Sequence, residues 1–266
     1  MSTSTPAARA PHDAAVREAL AELLLSMADD EFVIGYWDSE WTGIAPMLEE
    51  DVAFSSIAQD EIGHARVLYE LLAELTGDDA DRIAYGREPD AYRHARLLNH
   101  ARGDWAFSIA RRYLYDTADA VRLEALAASS YAPLAQLVAK IRREETYHLL
   151  HMDAWMRRLA EGGRDARGRL TAALERLWPD AMTVLGALRG EAVLVSEGII
   201  ADRFDALRQR WLDHLATTLE PLDVAVPRTA AAVAGAVEGR THRTDDFRWL
   251  WSQFTMVARS QDGATW

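Results

Sequence analysis

An all-α fold is the class this sequence predicts. Apolar residues recur at helical spacing over long stretches, and the strict alternation of half-buried strands is scarce. Four of those stretches are long, and each is bounded by residues that cap or break helices. The turns inside the first and second pairs are short, whereas the connection between the pairs is long. A four-helix bundle with one crossover has this connectivity, which is the ferritin-like arrangement.

Each element carries its own signals. The first helix is expected from about Asp13 to Trp41, ended by Thr42-Gly43. Pro46 opens the second at its first turn, with Glu49, Glu50 and Asp51 near the positive end of the helix dipole, and Gly77 stops it. The connection "GDDADRIAYGREPDAYRHARLLNHARG" is looser and holds one short helix. Asp104 reads as the N-cap of the third helix, "WAFSIARRYLYDTADAVRLEALAAS". Tyr131-Ala132-Pro133 turns the chain into the fourth, "LAQLVAKIRREETYHLLHMDAWMRRLAE", which Gly162-Gly163 terminates. About four shorter helical segments follow, punctuated by Pro179, Pro221 and Pro227. No Gly/Ser-rich linker sets them apart, so they are expected to pack around the bundle within a single domain, 1–266. Residues 1–11 read as a disordered lead, 12–161 as the bundle core and 166–266 as peripheral helices.

Composition narrows the chemistry. At 266 residues and 49% apolar, the chain can bury a full core. It has no apolar run near the roughly eighteen residues of a membrane span, and its first twenty residues lack the apolar stretch of a secretory signal. There are no cysteines, which rules out disulfides, thiolate zinc sites and cysteine-held iron–sulfur clusters and fits a cytoplasmic protein. A formal charge of −13 argues against a nucleic-acid groove. Any metal must be held by Asp, Glu and His, which favours iron, manganese or zinc.

Two motifs of one kind stand out. "QDEIGHAR" contains Glu61-x-x-His64 and "REETYHLL" contains Glu145-x-x-His148, each in the second helix of a hairpin. Of the eight histidines, only these two have Glu three positions earlier. The spacing puts both side chains on one helix face. Depth then selects two more acids. Glu61 lies fifteen residues past Pro46, about 22 Å up its helix, and the same count down the antiparallel partner lands on Glu31. Asp116 and Glu145 are nearly equidistant from the turn at Tyr131. Asp38, Glu40 and Glu124 lie too near helix ends to reach that level. The six residues Glu31, Glu61, His64, Asp116, Glu145 and His148 thus form two mirrored trios, the ligand inventory of a dinuclear carboxylate site. Four carboxylates buried without a counter-charge would each cost several kcal/mol, which two divalent ions would cancel. In that arrangement Glu61 and Glu145 bridge the ions, Glu31 and Asp116 are terminal, and His64 and His148 each bind one ion. Asp60 and Glu144 are either acceptors for the two imidazoles or exposed helix charges. Gly63 either lets a neighbour approach His64 closely or only relieves packing.

The stretch "EWTGIAPMLEEDVAFSSIAQDEIGHARVLYELLAEL", with "FSIARRYLYDTADAV", "REETYH", "RLW" and a closing Trp266, resembles the phenylacetyl-CoA monooxygenase (ring 1,2-epoxidase) family of bacterial aromatic degradation, and its C-type chains in particular. The similarity runs over nearly the whole chain. It implies membership in a multicomponent complex of aerobic phenylacetate catabolism, with phenylacetyl-CoA as the substrate of the complex and a homologous catalytic A-type chain as partner. C-type chains of that family are usually structural partners that have lost metal ligands, whereas all six stand in this sequence. The implied chemistry is reductive activation of O2 at two iron ions, manganese being the other candidate, with one oxygen atom delivered to the aromatic ring. Electrons would come from a separate reductase, because the chain shows no flavin or dinucleotide fingerprint.

Two rival readings stay open at this point, a stand-alone diiron or dimanganese oxidase and a purely structural component with a vestigial site. The pairs Arg111-Arg112 and Arg142-Arg143 either meet phosphates or form solvated helix faces. The nine tryptophans, Trp249, Trp251 and Trp266 among them, either supply a docking face or fill the core.

Overall fold

The computed structural model describes residues 11, 13–224 and 240–260. The expectations for the lead segment before Pro11, for Pro227 and for Trp266 lie outside them. Among the described residues there are helices and no strand. The four long helices are α1 (Ala14–Ser39), α2 (Leu48–Thr76), α4 (Trp105–Leu126) and α5 (Ala132–Glu161). Between α2 and α4 the crossover carries a short α3 (Ala80–Tyr85) and two 3-10 turns, Pro89–Ala91 and Arg96–Asn99.

Helix ends follow local chemistry. Asp13 accepts from the backbone N–H of Ala15 (2.7 Å), and Asp104 from that of Phe107 (2.9 Å), which satisfies donors left free in each first turn. Gly77 closes α2 in the left-handed region (φ 76°), where a side chain would be strained.

α1 is buried on all sides from Ser26 to Gly35, covered by α2 on one flank and by the crossover, α7 (Glu191–Ser196) and α9 (Asp245–Phe254) on others. Three successive acids on it, Asp29, Asp30 and Glu31, are all buried. Consecutive helical side chains point about 100° apart, so each acid meets a different partner. Asp29 takes Tyr69 of α2 and Arg87 of the crossover, and Asp30 takes Arg122 of α4 (2.8 Å) and Arg240 (2.9 Å). Glu31 faces inward.

The two hairpins are joined across α2 and α5, which run antiparallel. His64 lies 2.8 Å from Glu144, and His148 lies 3.3 Å from Asp60. After α5 come α6 (Arg164–Ala181) against α4 and α5, α7 against α1, α8 (Phe204–Leu219) against α4, then α9 and α10 (Met256–Ser260). Trp211 of α8 donates to Thr117 of α4 (2.9 Å). Pro179 does not punctuate as expected. It sits inside α6, two residues from its end, where its missing N–H sacrifices one helical bond and little else.

Candidate metal centre

At mid-depth in the bundle, Glu31, Glu61, His64 and Glu145 each offer a ligand atom, and those atoms lie within 4.8 Å of one another. An ion about 2.0–2.2 Å from each oxygen or nitrogen would hold opposite ligands about 4.4 Å apart, so these four donors need close by only a few tenths of an ångström to share a single ion. All four residues are buried. Glu61 Oε2 is buried with no hydrogen-bond partner, which leaves it a lone pair for coordination. The donors are oxygen and nitrogen only, a set suited to iron, manganese or zinc.

The imidazoles are oriented crosswise. His64 Nε2, on α2, donates to Glu144 of α5, which turns Nδ1 toward Glu31 (3.4 Å) and Glu145 (3.5 Å). His148 Nε2, on α5, is held by Asp60 of α2, which turns Nδ1 toward Glu61 and Glu145 (both 3.1 Å). Asp60 and Glu144 are partly exposed and act on the imidazoles at once, so both readings of them apply. The two rings are 6.4 Å apart. Tyr115 of α4 adds a donor that the spacing of acids and histidines does not reveal, its hydroxyl 2.8 Å from Glu31 Oε1.

Asp116 and His148 fall outside that group of four, although His148 still meets Glu61 and Glu145. Arg112, one turn before Asp116 on α4, is fully buried and enters the bundle centre. Its Nη2 lies 2.7 Å from Glu61 Oε1, 2.9 Å from Asp116 Oδ1 and 3.5 Å from His148 Nδ1, while Nη1 donates to Asp38 (3.1 Å). Neither Asp116 oxygen receives an aligned hydrogen bond, so that contact is one of charge. The arginine pair at 111–112 is therefore neither a phosphate clamp nor a solvated face. Both side chains are wholly buried, and Arg111 lies 3.7 Å from Asp38. Asp38, too shallow to meet Glu61 directly, reaches it through Arg112. Arg142 and Arg143 are exposed.

The ionisation pattern follows. Burial and the charge of Glu61 push the Glu31 carboxyl well above the usual range. Burial works against the charge of Glu61, but Arg112 and His148 hold its carboxyl well below that range. Asp116 is pushed up by burial in spite of Arg112. His148, although burial opposes its charge, is pushed up to about 11 by hydrogen bonds to Glu145 and Glu61. Four carboxyls around one level, with one deprotonated beside a guanidinium and others resisting ionisation, form a group that a cation would stabilise.

Glycine packing differs from expectation as well. A Cβ on Gly63 would meet nothing within 4 Å, so no neighbour approaches there. The close approach is at Gly35, one turn past Glu31, where a Cβ would sit 2.9 Å from Ile62 and 3.0 Å from the Glu61 Cβ.

A family model described as phenylacetic acid catabolic protein matches residues 1–266. The chain belongs to this family. Its relatives include the C subunit of 1,2-phenylacetyl-CoA epoxidase from Escherichia coli (strain K12), 29% identical over 221 residues, which span 83% of this chain and 89% of the relative. The A subunit of the same epoxidase is 28% identical over 217 residues, 80% of this chain and 70% of that relative. The resemblance carried by the quoted segments thus holds over the whole chain. Membership alone does not single out Arg112. A sign of it was present in the sequence, four residues before Asp116 on the same helix face, but an adjacent arginine pair reads as solvated until packing buries it.

Proposed function

We propose that this chain is the C-type component of a phenylacetyl-CoA 1,2-epoxidase complex in phenylacetate catabolism, a cytoplasmic partner of a homologous A-type chain that carries the ring chemistry. The similarity along 89% of a C-type relative carries this reading. An exposed apolar face supports it. Ile44 in the turn before α2, Leu48 and Val52 at its start, and Tyr147 and Leu150 on α5 are all more than half exposed. Glu50 and His151, 2.9 Å apart, tie the two helices together beside them. Large apolar side chains grouped on a folded surface are what a partner covers. Most tryptophans, by contrast, fill the core, Trp37, Trp41, Trp155, Trp178 and Trp211 among them.

Within this reading, Glu31, Glu61, His64 and Glu145 would hold a transition metal, iron or manganese. Bound iron would supply reductive O2 activation, with electrons from a separate reductase. Tyr115 and Glu144 fix Glu31 and His64 in place, and Arg112 keeps Glu61 ionised. Glu145 also lines a cavity of about 310 Å³ between α4, α5 and α8. That cavity favours a second reading, a stand-alone oxidase.

Co-expression with an A-type chain separates the two. A stable heteromeric complex, with no O2 consumption by the metal-loaded chain alone in the presence of reductase, is expected. Failure to associate would count against membership in the complex, and turnover by the isolated chain would establish the second reading.

A further inference from the structure

We infer that the guanidinium of Arg112 stands in for a second metal ion, so that this chain holds one ion between motifs that supply ligands for two. The inference rests on the metal reading above and goes beyond it by fixing the stoichiometry.

The mirrored trios divide cleanly. One half of the site is Glu31 and His64 with the bridging acids Glu61 and Glu145, and these four gather within 4.8 Å. The other half would need Asp116 and His148 with the same two bridging acids. Arg112 Nη2 lies between three of those four, at 2.7 Å from Glu61, 2.9 Å from Asp116 and 3.5 Å from His148 Nδ1. A nitrogen at these distances from the donors leaves no room for an ion among them. The ring nitrogen of His148 that would coordinate therefore has a guanidinium beside it as well as Glu61 and Glu145, while its counterpart on His64 faces carboxylates alone. The charge requirement is met as well. Arginine stays protonated in proteins, and its planar fork spans several carboxylates at once.

The same conclusion follows from the internal repeat. Counting four residues back from Glu31 and from Asp116 gives equivalent positions in the two halves, Met27 and Arg112. Counting seven residues forward gives Asp38 and Leu123. All four are buried. Behind its acid, the half that gathers its ligands has apolar Met27 where the other half has Arg112, and Arg112 pairs across the bundle with Asp38 of the first half, whose counterpart is Leu123. A guanidinium neither exchanges nor changes oxidation state, so the second position is closed to redox chemistry, in keeping with a chain whose partner does the turnover.

The test is metal stoichiometry after anaerobic loading with Mn(II), by elemental analysis, with electron paramagnetic resonance to distinguish isolated from exchange-coupled ions. The wild-type chain is expected to take up one ion with an uncoupled spectrum. Arg112→Met combined with Asp38→Leu gives each member of the ion pair the residue at its equivalent position in the repeat, Met27 and Leu123, and is expected to take up two with a coupled spectrum. Because that pair could disturb folding, Asp116→Asn supplies a near-isosteric check. It should leave one ion bound with affinity changed less than about threefold, whereas Glu31→Gln should weaken binding by at least about 100-fold. Two ions in the wild type, one in the folded double variant, or equal losses in Asp116→Asn and Glu31→Gln would overturn the guanidinium assignment while leaving the metal site standing. No ion in any of these proteins would overturn the metal site itself, and the inference with it.

Discussion

Glu144 and Asp60 occupy equivalent positions in the two motifs, yet their roles part at the level of single residues. Glu144 orients His64, which belongs to the four-donor cluster, and Asp60 orients His148, which faces Arg112. Glu144→Ala is therefore expected to cost about 10- to 100-fold in metal affinity, and Asp60→Ala much less, as isothermal titration would show. Removing the arginine alone is a different matter. Arg112→Met strands Glu61, Asp116 and Asp38 in the interior, and should destabilise the metal-free protein by roughly 3–5 kcal/mol in urea unfolding. A third residue sets a pH dependence far from the site. His94 is buried, donates to Asn99 (3.0 Å) and is pushed well below the usual imidazole value of 6.5 by burial and by Arg243. Its folded value lies below its unfolded one, so its contribution to stability is full above pH 6.5 and is lost as the pH falls toward the folded value. His94→Gln should flatten the decline of the urea midpoint below pH 6.5. At this scale the sequence disclosed the repeated Glu-x-x-His pairs and the depth of Glu31, because spacing alone decides which residues share a helix face. It did not disclose Arg112 or Tyr115, since whether a polar side chain turns inward depends on what the neighbouring helices leave open.

The helices meet at the metal level through Gly35 rather than Gly63. Gly35→Ala would press a methyl against Ile62 and Glu61, part α1 from α2 where the ligands converge, and cost about 1–3 kcal/mol, with metal affinity falling alongside. Gly63→Ala meets open space on a helix, so it should be neutral or stabilise by up to about 1 kcal/mol. Thermal melts of the two variants check the contrast. Element ends were readable in advance at Asp13, Asp104 and Gly77, where capping is a local matter of side-chain oxygens and left-handed backbone. Pro179 misled for the same reason in reverse. Proline reads as a break, but two residues from a helix end it breaks almost nothing.

Across the whole molecule, the bundle and its crossover were legible because turn lengths dictate which helices can be neighbours. The arrangement of the later helices was not, since their packing against α1, α4 and α5 is fixed by surfaces rather than by local pattern. Among the described residues no helix is long and apolar enough to cross a membrane. The exposed apolar residues Leu48, Val52, Tyr147 and Leu150 are the surface proposed above to meet the A-type chain. Leu48→Glu with Tyr147→Glu should abolish association with the A-type chain in size-exclusion chromatography, while metal content and melting temperature stay unchanged. The central claim, that Glu31, Glu61, His64 and Glu145 converge to hold an ion, is met most directly by anomalous scattering from crystals grown with Mn(II). One anomalous peak about 2.0–2.5 Å from all four donors, with Arg112 still against Asp116, is the expected result. A map with no peak between those four residues would contradict the account.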